Sequence, residues 1–128
     1  MKKKYISPFQ PKKINDVKTS GLKIYTFNIG YKKFNDDLLV IVFDKLVELA
    51  AVFTKSSTPS APVIWKKGQY KSNLCKVLIV NSGNANAYTG KIGIASIKKY
   101  SSFASQIFNC KLNQVFVSST GVIGEQLN

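Results

Sequence analysis

A change of hydrophobic period at Gly90 constrains this chain more than any other feature of its sequence. Before it, apolar residues come in short runs that suit strands. After it, Gly93, Ile97, Tyr100, Ala104, Ile107 and Phe108 recur with the spacing of one helical face, with Lys98, Ser101, Ser102 and Ser105 largely off it. Thr89 precedes that stretch as an expected N-cap. Residues 38–43 (LLVIVF) form a continuous apolar, β-branched and aromatic run, the pattern of a strand covered on both faces. Residues 22–29 alternate loosely, with Tyr25, Phe27 and Ile29 on one face, and Asp44 and Lys45 mark a turn. Residues 47–54, 76–80 and 115–118 read as further strands, and 63–66 as a brief one. Residues 55–62 (KSSTPSAP) read as a loop, because Pro59 and Pro62 restrict the residues before them. Strands with a helix between two of them predict an α/β class, layered in the α+β manner and not a helical bundle.

The 128 residues suffice for one ordinary domain or part of one. Residues 1–20 are polar and basic and are broken by Pro8 and Pro11, which predicts a leading arm before a body at 21–128. The longest apolar run is far too short to cross a membrane, and no apolar stretch follows the basic start as in an export signal. A cytoplasmic location with no membrane partner is expected. Cys75 and Cys110 have no histidine to join them, so two reduced thiols are expected and no metal site.

A net charge of +13 raises the question of a nucleic-acid partner, since cations that neutralise phosphates release counterions. All 19 basic residues are lysine, however, and base readout favours the guanidinium fork of arginine. The lysines are scattered in twos and threes, including Lys66 and Lys67, as on a solvated surface. A lysine-rich nucleic-acid module is therefore an alternative, and no nucleic-acid partner is expected. Asp36 and Asp37 read as solvated turn residues, and no pair of carboxylates suggests acid–base catalysis. Without histidine, Ser-His and Cys-His nucleophile pairs are impossible within the chain.

Two loops remain. Residues 81–86 (NSGNAN) follow a strand and read alone as a tight strand-to-helix connection. In residues 118–124 (SSTGVIG), Thr120 and Gly121 can offer a hydroxyl and a backbone N–H to one oxygen, as an oxyanion hole requires, although a Thr-Gly pair is also a common turn.

Taken together and in order, residues 50–63 (AAVFTKSSTPSAPV), 80–90 (VNSGNANAYTG) and 118–127 (SSTGVIGEQL) resemble the ornithine acetyltransferase family, also called bifunctional glutamate N-acetyltransferase. Residues 7–13 (SPFQPKK) and 36–44 (DDLLVIVFD) resemble it too. The resemblance implies a layered α-β-β-α-like sandwich, of which this chain would be a partial domain from the α chain. It implies a precursor that cuts itself before a threonine, whose β-chain N-terminus then carries an acetyl group from N-acetylornithine to glutamate. Expected partners are those two substrates and the β chain, in an (αβ)2 heterotetramer. No cofactor is expected, with acetyl-CoA a further acetyl donor in some members. The family's oxyanion residues fall on Thr120 and Gly121. The chain ends at Asn128, before the family's lysine and Ala-Thr cleavage step, so the chain alone is expected to be inactive: a fragment, a split-gene product or a non-catalytic remnant.

Overall fold

The computed structural model describes residues 8–9, 19–69 and 73–127. Most of the arm expected over residues 1–20 lies outside them. Four strands, β1 (Leu22–Phe27), β2 (Leu38–Glu48), β3 (Leu74–Asn84) and β4 (Val115–Val122), make one sheet in the order β1-β2-β3-β4. The first three run antiparallel, whereas β3 and β4 are parallel. Parallel neighbours need a crossover, and α2 (Gly90–Ile107) supplies it. A shorter helix, α1 (Ala61–Gln69), packs on both α2 and β4.

Registered neighbours share a face of a sheet, and the two faces differ sharply here. Val42, Val77 and Val115 stand side by side and are buried, as are Cys75 and Asn81 on the same face. A crossover helix must lie over one face, and this is the covered one. On the other face, Leu39, Ile41, Phe43, Leu78 and Val80 are only half-buried. Among the described residues, LLVIVF is thus covered on one face and not on both. Tyr25, Phe27 and Ile29, expected on one strand face, are all exposed: β1 is an edge strand, and Ile29 lies beyond its end.

Several boundaries differ from expectation. Asp44 and Lys45 do not turn the chain; β2 continues through them, with the register slipping between Val42 and Val47. The backbone absorbs the bulge because Asp44 N–H donates to Gly21 O at 2.9 Å and Lys76 Nζ donates to Asp44 O at 2.9 Å. The strand expected over 47–54 is only the end of β2, and residues 49–60 have no regular structure. Residues 63–66 are helical and not extended. Pro62 sits in the first turn of α1, where its missing N–H costs nothing and its fixed φ suits a helix.

The expected helix is present, but its buried stripe is Gly93, Ile97, Ser101 and Ala104. Ile107 is 57% exposed, while Ser101, placed off the face from sequence, is fully buried. Small residues at these positions let the helix approach its neighbours closely. Thr89 occupies the N-cap position without capping. Its ψ of −1° lies outside the extended region from which a side chain reaches the first-turn N–H groups. At the other end Asn109 takes a φ of 46°, and Cys110 N–H donates back to Ser105 O at 3.0 Å, a closing turn that asparagine tolerates.

Candidate functional site

The segment 118–124, which reads as a loop from sequence, lies in β4 as far as Val122. Thr120 and Gly121 are strand residues, both exposed, paired with Ser82 and Gly83 of β3. Likewise Asn81 to Asn84 extend β3, so only the end of the NSGNAN segment belongs to the connection into α2. The two motifs that sequence reading kept apart are registered partners.

Glycine is required where they meet. Gly121 has a φ of +135° and Gly83 a φ of +100°, both in the region that side chains disfavour. A Cβ on Gly121 would stand 2.3 Å from the carbonyl carbon of Gly83 and 2.6 Å from Asn84 N. A Cβ on Gly83 would meet Tyr31 Cβ at 2.9 Å. Three segments therefore converge beside Thr120, and neither glycine position has room for a side chain.

Asn86 ties this point to both helices. It is fully buried, and its N–H donates to Ser119 Oγ at 2.8 Å. Its carbonyl accepts from Ala61 N–H at 3.0 Å, at the start of α1. Its Nδ2 donates to Gly93 O at 2.9 Å in α2, and its Oδ1 accepts from Thr89 Oγ1 at 2.5 Å. Ser119 Oγ in turn donates to Asn84 O at 3.2 Å, and Asn81 Nδ2 reaches the same carbonyl at 2.6 Å. Asn84 is also buried, and its Oδ1 has no hydrogen-bond partner among the described residues.

Asp37 overturns its reading as a solvated turn residue. Asp36 is exposed, but Asp37 is buried. Ile29 N–H donates to its Oδ1 at 2.7 Å and Lys32 N–H to its Oδ2 at 2.8 Å. Burial acts to raise the carboxyl, yet the backbone N–H groups of Ile29, Lys32, Tyr31 and Gly30 together hold it below the ordinary carboxylate range. The Asp37 carbonyl accepts from Ser82 N–H at 2.7 Å, so the loop it organises is fastened to β3 beside Thr120. An acid next to another acid gave no sequence signal for this; only the folded loop shows it.

Lys66 is the second residue missed. Its place in a scattered lysine pair predicts a solvated side chain, but it is buried with its Nζ 3.4 Å from the centre of the Phe116 ring. Nζ donates to Asn113 O at 2.5 Å. Burial pulls the ammonium down to about 8, partly opposed by the thiol of Cys75, which burial pushes up to about 11. Cys75 and Cys110 are both free thiols.

The described residues contain no group of three or more His, Cys, Asp or Glu side chains able to hold a metal ion. Among them, no helix is long and apolar enough to cross a membrane. Asp36, Asp44, Glu48 and Glu125 are all exposed. What the region offers chemically is an exposed hydroxyl at Thr120, set on a tightly anchored strand end.

The model of the ArgJ family matches residues 23–128. An arginine biosynthesis bifunctional protein ArgJ from Bradyrhizobium diazoefficiens is 42% identical over 125 residues, covering 96% of this chain. Another, from Mesorhizobium japonicum, is 45% identical over the same share. The chain spans about 30% of the length of these curated relatives. Among solved structures, an ArgJ protein from Bacillus halodurans superposes with a TM-score of 0.79 at 33% identity, over 84% of this chain and 57% of that one. Ornithine acetyltransferase of Mycobacterium tuberculosis, complexed with ornithine, gives 0.73 at 28% identity, over 84% and 60% respectively.

Proposed function

Because the chain belongs to the ArgJ family, we propose that it supplies the oxyanion side of an acetyl transfer from N-acetylornithine to glutamate. The relatives it matches are bifunctional proteins of arginine biosynthesis, and one solved relative holds ornithine. The observation that carries the reading is the exposed Thr120 hydroxyl beside Gly121, on a strand end where β3 leaves no freedom.

The nucleophile is a threonine at the N-terminus of a β chain, outside these 128 residues. A threonine hydroxyl is weakly nucleophilic until a base takes its proton, and its own α-amine can do so. Attack on the acetyl carbonyl puts negative charge on one oxygen. The Thr120 hydroxyl and the Gly121 N–H donate to that oxygen. Collapse of the intermediate expels ornithine and leaves an acetyl-threonine. The amine of glutamate then attacks that ester through a second tetrahedral state, held by the same two donors, whose collapse breaks the ester C–O bond, returns the threonine hydroxyl and releases N-acetylglutamate. Acetyl-CoA would enter as an alternative acetyl donor, and no cofactor takes part. The working assembly is the α and β chains together, paired as an (αβ)2 heterotetramer in the cytoplasm.

The test is Thr120→Ala in the polypeptide that carries the nucleophilic threonine. Loss of one oxyanion donor should lower kcat by roughly 10²–10³ with little change in substrate binding. Thr120→Ser, which restores the hydroxyl, should recover most of it. Full turnover by Thr120→Ala would sink the assignment.

A further inference from the structure

Lys66 presents a buried cation that the acetyl-transfer reading does not use. Its ammonium has three N–H donors, and among the described residues one is taken by Asn113 O, with the Phe116 ring beneath. Among the described residues no carboxylate pairs with it. A buried charge without a counter-ion is costly, and an anion drawn from solution removes that cost. Lys66 also lines a cavity of about 190 Å³ between α1, residues 51–53 and β4. Ser118 and Ser119 line the same cavity. The Ser119 hydroxyl is occupied by Asn84 O and Asn86 N–H, but Ser118 is exposed and carries a further hydroxyl donor.

We propose that this cavity is an oxyanion subsite, where Lys66 Nζ and the Ser118 hydroxyl hold a phosphate or carboxylate group. Phe116, Ser118 and Thr120 alternate onto one face of β4, so the subsite and Thr120 share that face. Phe116, beneath Lys66 Nζ, is four strand residues from Thr120, roughly 13 Å, whereas Ser118 is two, roughly 7 Å. An anion held between Lys66 and Ser118 is therefore either the carboxylate end of a substrate that reaches Thr120 or a free anion. This use of the site rests on the acetyl-transfer reading, whereas anion binding itself does not.

Titration calorimetry on the 128-residue chain, with inorganic phosphate and separately with glutarate, tests the proposal without any turnover. At least one should bind saturably, and the one that binds more tightly identifies the anion class. Lys66→Met and Lys66→Gln should each weaken that binding by tenfold or more, and Ser118→Ala by a smaller factor. Far-ultraviolet circular dichroism of Lys66→Gln, which nearly keeps the side-chain length, controls for folding. No binding of either anion, or binding unchanged in a folded Lys66→Gln, overturns the proposal. Failure of the Thr120→Ala test would leave it standing.

Discussion

Asn86 shows how one side chain can hold several elements at once. All four of its polar groups are satisfied, by β4, α1, α2 and the connection before α2. Asn86→Ala keeps the backbone bonds but removes the extra donor to the Gly93 carbonyl and the acceptor of Thr89 Oγ1. Losing these two side-chain hydrogen bonds should cost about 1–3 kcal/mol, read as a lower urea midpoint with an unchanged slope. Asp37 acts in a comparable way on the loop beside Gly83. Its carboxyl is held below its ordinary value in the folded state, so the stability it contributes is present above that ordinary value. It is lost as pH falls through the lower folded value. Acid titration of Asp37→Asn, followed by circular dichroism, should therefore show a smaller loss of stability below pH ~4 than the parent chain. Neither role could be read from the sequence. Asparagine in a polar motif and aspartate beside aspartate both resemble ordinary turn residues until distant backbone groups arrive.

Among the elements, the β3–β4 pair matters most, because it turns two loop-like motifs into registered strands. The runs at 76–80 and 115–118 were legible as strands from their β-branched residues. Their extension to Asn84 and Val122 was not, because asparagine, serine and glycine disfavour strands when considered alone. Parallel pairing satisfies their backbone groups, and the close Gly83–Gly121 approach tolerates no side chain. Gly121→Ala must therefore separate the strands or strain a φ of +135°. We expect a loss of at least about 1–3 kcal/mol in thermal or urea unfolding, with acetyl transfer lost as the strand end shifts. A fully stable Gly121→Ala would mean that the two strands part without cost. The same logic explains α1. Its four residues read as a strand from their apolar content became helical once Pro62 set the first turn and Asn86 accepted from Ala61 N–H.

For the molecule as a whole, the buried ionisable groups set how stability responds to alkali. Burial lowers Lys66 to about 8 from an ordinary 10.5, so between these values the unfolded chain binds more protons and stability rises with pH. Burial raises Cys75 from 9.0 to about 11 and raises Tyr100 as well, which makes stability fall as the unfolded thiol and phenol ionise. The two effects have separate onsets. Stability should climb from pH ~8 to ~9 and then level or decline. Lys66→Met should abolish the climb and match or exceed the parent chain below pH 8, since an apolar side chain replaces a buried charge. Denaturant titrations at a series of pH values would read both limbs, and a flat parent profile would contradict the burial of Lys66.

The sequence by itself determined the α/β class, the strand cores, the long helix and, through three ordered motifs, membership of the ArgJ family. These depend on local period and on short patterns of residues, which a linear text preserves. Tertiary structure alone decided that the Asn-rich motif and the Thr-Gly motif lie side by side, and that one sheet face is covered while the other stays half-open. It also decided that Asp37 and Lys66, two of the many charged residues, are buried. Whether a charge meets water depends on which backbone and ring come to lie beside it, and the neighbours of Lys66 are 47 and 50 residues away along the chain, at Asn113 and Phe116.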